Sequence, residues 1–140
     1  MKLMGIDYGR RRIGIAVSDD GGTLARSIGI VDRKTHPNSI DELIRIISIE
    51  TPSALIFGLP LNEDDEETTM SKEVRDFASQ VEQRVTVPIH FVDESFTSKK
   101  ASELMMHRKK KERRDKSLSD RIAACLILQE YIETSKHCLN

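Results

Sequence analysis

The most constraining stretch of this sequence is residues 13–18. Bulky and small side chains alternate there without a break: Ile13, Ile15 and Val17 on one side, Gly14, Ala16 and Ser18 on the other. A period of two means a strand. A strand with one bulky and one small face needs two different neighbours. The bulky side asks for an apolar layer; the small side admits a helix or a ligand in close backbone approach. The preceding run, Leu3–Asp7, is apolar until it ends in a carboxylate. A turn through Gly9 and three arginines, Arg10, Arg11 and Arg12, joins the two. A carboxylate at the end of a strand inside a sheet is costly unless positive charge lies near it.

The next signals complete a meander. Asp19-Asp20-Gly21-Gly22 is a hairpin turn, and 24–31 returns as a third strand. The period then changes. Pro37 suits a first helical position, and Ile40, Leu43, Ile44 and Ile47 repeat at helical spacing. Residues 54–57, between Pro52 and Pro60, are continuously apolar and predict a strand buried on both faces. Met70, Val74, Phe77, Ala78, Val81 and Val85 predict an amphipathic helix. A strand over 87–92 follows, with Pro88 at its start, then a short helix over 98–107 and a charged loop over 108–116. The last helix, 118–132, is apolar on more than one side and should be sandwiched. Strands joined through helices run parallel. The predicted fold is therefore α/β: a mixed five-stranded sheet, an antiparallel βββ meander plus two parallel strands, with helices on both faces. A length of 140 residues suits one domain over 1–140.

Composition narrows the setting. No apolar run approaches the roughly 18 residues that cross a bilayer. Asp7 and the three arginines interrupt any secretory h-region. Cys125 and Cys138, in a helical pattern and a tail, show neither disulfide framework nor metal spacing. A cytoplasmic protein without a membrane partner is expected. The net charge of −1 argues neither for nor against nucleic acid, but its distribution is uneven. Residues 63–67 are wholly acidic and 108–116 mostly basic.

Three carboxylates stand out, each with an ordinary alternative. Asp7 could cap the Tyr8-Gly9 turn. Glu94, just past the last strand, could be a solvated acid near a helix N-terminus. Asp120 fits a capping box, Ser117-Leu-Ser-Asp120. Yet Asp120 shares a helical face with Ala124, Ile127 and Tyr131, and Ala123 and Ala124 would let that helix approach the sheet. Sites in open α/β sheets form at strand carboxyl ends. Asp7 and Glu94 lie at such ends, on strands expected near the sheet centre. Three converging carboxylates cannot all ionise without a cation. Oxygen donors select Mg²⁺ or Mn²⁺, and a pair of such ions catalyses in-line displacement at phosphate.

Four blocks carry a resemblance. Gly5-Ile-Asp7-Tyr-Gly9 with Arg12-Ile-Gly14-Ile-Ala-Val-Ser-Asp19, then Gly58-Leu-Pro-Leu-Asn62, then Asp93-Glu94, then the run from Asp120 to Gln129, are similar to the YqgF family. Its members are described as Holliday junction resolvases or pre-16S rRNA processing nucleases. The resemblance spans the chain nearly end to end. It implies a ribonuclease H-like fold, with Asp7, Glu94 and Asp120 binding metal and driving phosphodiester hydrolysis. This sequence departs from the family pattern at Arg10-Arg11, where Thr-Lys is common, in the acidic loop 63–67, and at Ser95, where arginine usually follows the glutamate.

The expected partner is structured RNA or branched DNA. The residues expected to meet it are Gly9, Arg10, Arg11, Arg12 and Thr97, with Arg108, Lys109, Lys110, Lys111, Arg113 and Arg114 of the basic run. The alternatives are helix capping for Thr97 and solvated surface for the basic run. That run offers no aromatic side chain for base stacking, so sequence-specific readout of single strands is not supported. Three functions remain open. One is a nuclease processing the 5′ end of pre-16S rRNA, with a two-ion site. Another is a junction resolvase, which needs a symmetric dimer; the sequence fits a monomer or a homodimer. The third is a weakly catalytic nucleic-acid-binding or assembly module, kept open by Ser95 and the acidic loop. An actin-like ATP-binding fold shares the Asp-x-Gly after a strand, but needs a second domain for which 140 residues leave no room.

Overall fold

The computed structural model describes residues 1–61, 66–93 and 116–138. Along the chain these form β1 (Leu3–Asp7), β2 (Arg12–Ser18), β3 (Ala25–Asp32), α1 (Ser39–Glu50), β4 (Ala54–Leu59), α2 (Thr69–Glu82), β5 (Ile89–Asp93) and α3 (Lys116–Cys138). The strands make a five-stranded sheet in the order β3-β2-β1-β4-β5. The β1–β2 and β2–β3 pairs are antiparallel, and the β1–β4 and β4–β5 pairs are parallel. The mixed sheet predicted from the sequence is thus observed, with β1 at its middle.

The alternation in β2 sets up two unlike layers. Ile13, Ile15 and Val17 join Met4, Ile6, Leu55 and Phe57 under α1 and α2, which contribute Leu43, Ile47, Val74, Phe77 and Val81. The opposite face presents Leu3, Ala16, Ala54 and Ile56 to Ala124, Ile127, Leu128 and Ile132 of α3. All six residues of β4 are buried, as a strand covered on both faces requires. The α3 layer is thin because glycines let the helix backbone descend onto the sheet. A methyl group on Gly14 would stand 2.4 Å from the Asp120 carbonyl oxygen. One on Gly5 would stand 2.8 Å from Leu128 Cβ and 2.9 Å from the Ala124 carbonyl oxygen. Neither position tolerates a side chain without moving α3.

Several boundaries differ from expectation. The first helical bond of α1 runs from the Glu42 N–H to the Asn38 carbonyl, so Asn38 is the N-cap and Pro37 lies before the helix, not at its first position. Val85 packs on the core beyond the end of α2, whose start is held by a Thr68–Ser71 capping box. Pro88 precedes β5 and offers its carbonyl to the Leu55 N–H. Helix α3 begins at Lys116 and reaches Cys138, so Lys116 belongs to no loop and Cys138 to no tail. The central position expected for the strand before Glu94 is overturned: β5 is an edge strand, two places from β1. Continuous apolarity marked β4 as interior, whereas β5 is only partly buried along its length. The helix expected over 98–107 lies outside the described residues.

Candidate functional site

Asp7 ends β1 on the α3 side of the sheet. It pairs directly with Gly14 across the antiparallel ladder, and Ile6 and Tyr8 on either side belong to the α1/α2 layer. It is 7% exposed. The missing side chain of Gly14 is filled by the backbone of Asp120. Paired Cα atoms in such a ladder are about 5 Å apart. Asp120 therefore packs its backbone on the ladder partner of Asp7. Gly14 and Asp120, far apart in sequence, meet because Gly14 has no Cβ.

The capping role considered for Asp120 is not what its side chain does. Its Oδ2 accepts a hydrogen bond from Arg12 Nε at 2.8 Å, and the helix already runs from Lys116. Arg12 begins β2 on the same face as Gly14, Ala16 and Ser18. Its role toward Asp120 escaped the sequence reading, which grouped it with the exposed turn. The signal was present: one more step of the alternation back from Gly14 puts Arg12 on the α3 side.

The three arginines fan out rather than forming one patch. Arg10 Nε pairs with Glu73 of α2 at 2.9 Å, and Arg11 Nε with Asp32 of β3 at 3.3 Å. Both are exposed, and pairs of this kind exchange readily with other partners. The Asp32 carboxyl is held below the usual range, first by the Lys34 backbone amide and then by the charges of Arg11 and Arg12. Gly9 has a local reason to be glycine, since a Cβ there would lie 2.4 Å from the Arg12 carbonyl oxygen. On the other face of the sheet, Arg33 donates to the Gly9 carbonyl at 3.2 Å and stacks over Tyr8. His90 stacks on Tyr131 of α3, with centroids 5.4 Å apart.

Glu94 follows the last residue of β5 directly and lies outside the described residues. So do Thr97 and the basic residues Arg108, Lys109, Lys110, Lys111, Arg113 and Arg114. Among the described residues, no group of three or more His, Cys, Asp or Glu side chains could hold a metal ion. Of the three expected carboxylates, Asp7 and Asp120 lie within the described residues, on the strand and the helix that meet at Gly14. Among the described residues no helix is long and apolar enough to cross a membrane.

A family model described as "RuvX: Holliday junction resolvase" matches residues 1–134. The chain belongs to the RuvX family. This agrees with the YqgF-like blocks in the sequence. A relative from Maridesulfovibrio salexigens, called "Putative pre-16S rRNA nuclease", is 36% identical over 132 residues, covering 94% of this chain and 98% of its own. One of the same name from Bacteroides fragilis is 36% identical over 138 residues, covering 96% and 98%. Among solved structures, Thermus thermophilus RuvC in complex with Holliday junction substrate is similar with a TM-score of 0.61 at 16% identity, covering 96% of each chain. Fowlpox virus resolvase with its junction DNA gives 0.63 at 12%, covering 96% of this chain and 99% of its own. These likenesses establish the ribonuclease H-like fold for this RuvX chain.

Proposed function

We propose that this chain is a divalent-metal-dependent nuclease that hydrolyses phosphodiester bonds in structured nucleic acid, and that its substrate is the 5′ end of pre-16S rRNA. The observation that carries the reading is the packing of Asp120 on Gly14, the ladder partner of Asp7, at the carboxyl end of the central strand. Two carboxylates on one partly dry face form an all-oxygen donor set, which fits a hard cation and does not fit zinc. Asp7, Glu94 and Asp120 would hold it. A pair of Mg²⁺ or Mn²⁺ ions supplies an activated water and a stabilised leaving oxygen.

The chain's own residues do the rest. Asp7, in the middle strand of the sheet, would hold the ion that meets the reacting phosphate. Arg10 and Arg11, with Thr97 and the basic run from Arg108 to Arg114, bind the backbone around it and add a salt-dependent share of affinity. The relatives named for pre-16S rRNA favour the RNA substrate. A cytoplasmic site of action follows from that substrate.

A second reading, junction resolvase, is favoured by the fold shared with two resolvases solved with junction substrates. It requires a homodimer with two active sites. The test is cleavage of a pre-16S 5′-precursor transcript and of a synthetic four-way junction, with Mg²⁺ or Mn²⁺, by wild type and Asp7→Asn. Wild type should trim the precursor, and Asp7→Asn should be slower by roughly a thousandfold. Faster cutting of the junction would favour the second reading. A mutant as active as wild type would sink the site assignment. A wild type that cuts neither substrate would leave a binding module.

A further inference from the structure

The ion pair between Arg12 and Asp120 differs from its neighbours. Its side chains are 18% and 29% exposed, against 65% and 38% for Arg10–Glu73 and 55% and 31% for Arg11–Asp32. It ties the first residue of β2 to the part of α3 that rests on Gly14. It also occupies an oxygen that a metal would need.

We propose that Arg12 is a built-in counter-ion of the metal site: its guanidinium holds the Asp120 carboxylate in the absence of a cation and must release it for one to bind, so that Arg12 sets the affinity for divalent metal. This rests on the reading of Asp120 as a metal ligand. Three observations support it. First, the bond is made to Oδ2 itself, by a donor on the sheet face that Asp7 also occupies. Second, two carboxylates gathered on one half-dry face repel each other without a cation, and a fixed guanidinium offsets that repulsion. Third, Arg12 has a second carboxylate within its field. It pairs with Asp32 in the β2–β3 ladder, and its charge contributes to keeping Asp32 ionised. A guanidinium leaving Asp120 therefore has an anionic neighbour and need not be stranded. Once released, it is also a planar donor suited to a phosphate at the mouth of the same site.

Arg12 is thus a positioning residue, and its test reads metal binding rather than turnover. Mn²⁺ affinity is measured by calorimetry, and melting temperature with and without Mn²⁺, for wild type, Arg12→Gln, Arg12→Lys and Asp7→Asn. A neighbouring unit charge changes a carboxylate's affinity for a proton by roughly ten- to a thousandfold. A divalent ion feels the same field, partly screened, so Arg12→Gln should bind Mn²⁺ about tenfold more tightly. It should melt lower than wild type without metal and gain more on saturation. Arg12→Lys, which keeps the charge, should stay near the wild-type affinity. A purely structural Arg12 would lower the melting temperature equally with and without Mn²⁺ and leave the affinity unchanged or weaker. That result overturns the proposal. A readout on wild type covers the case of an unfolded variant. The Arg12 Nε–H resonance should be protected from exchange without metal and lose that protection on titration with Mg²⁺; protection kept at saturation also overturns it. Asp7→Asn separates the two levels. If it binds Mn²⁺ as wild type does, the metal-site reading falls and takes the counter-ion with it. If it loses binding while Arg12→Gln fails to tighten, only the role of Arg12 falls.

Discussion

The two faces of the sheet are built on opposite principles. Under α1 and α2 the sheet shows Met4, Ile6, Ile13, Ile15, Val17 and Phe57, all fully buried and all large. Under α3 it shows Leu3, Gly5, Asp7, Gly14, Ala16 and Ser18, mostly small or polar. The first face buries large apolar side chains, and burial is the main favourable term in folding. The second gives up that area and gains proximity. Its helix lies close enough for a backbone carbonyl to fill the place of a side chain at Gly14. On the function proposed above, stability and chemistry would be divided between the faces of one sheet, with Asp7 on the small-residue face.

Substitutions on the two faces should separate these roles. Asp7→Asn, nearly isosteric, should lower activity by roughly a thousandfold while changing the melting temperature far less, because the side-chain shape is kept. An equal loss of stability and activity would erase the distinction. Phe57→Ala, on the other face, should cost about 3–5 kcal/mol in chemical denaturation, with turnover per folded molecule retained. Gly14→Ala sharpens the comparison because it adds no charge and removes no contact. It should cost about 1–3 kcal/mol by pushing α3 off the sheet, and should lower activity beyond the fraction unfolded, since Asp120 moves with the helix. If activity follows the folded fraction alone, the close approach of α3 serves packing only.

The smallest expected effect lies at the far end of the small-faced strand. Asp19 accepts N–H bonds from Thr23 and Leu24 at 2.6 and 3.2 Å, and these hold its carboxyl below the usual value. A folded-state value depressed below the unfolded one contributes stability above the ordinary aspartate range, lost as pH falls through the folded value. Wild type should therefore lose slightly more melting temperature than Asp19→Asn as pH falls below about 4. Activity at neutral pH should be alike in the two. A turn residue that changed turnover would show that the hairpin end is coupled to the site.

Much of this was legible in advance. Strand β1 has the expected limits, and β2 and β3 each lie within one residue of theirs, because period-two alternation and the Asp-Asp-Gly-Gly turn are strictly local signals. The identity of Asp7 as a buried, strand-ending carboxylate was readable for the same reason. Less legible was the partner of Asp120. Ser117-Leu-Ser-Asp120 satisfies a local capping pattern, and local patterns cannot report that a strand 108 residues earlier presents an arginine to the helix. The edge position of β5 was also hidden. An apolar run with a proline at its start reads alike in either place, and strand order is decided by pairing, not by sequence neighbours.

By itself the sequence determined the alternation of β2, and with it the demand for one thick and one thin layer. It also determined the carboxylates and the chemistry they suit, since oxygen donors favour hard cations wherever they stand. Only the tertiary structure decided which backbone fills the space above Gly14, and so set Asp120 on the ladder partner of Asp7. It alone assigned Arg12 to Asp120 and sent Arg10 and Arg11 to other partners. The physical reason is that a missing side chain specifies a vacancy of known size but not its occupant. An ion pair across 108 residues exists only after the helix has been laid on the sheet.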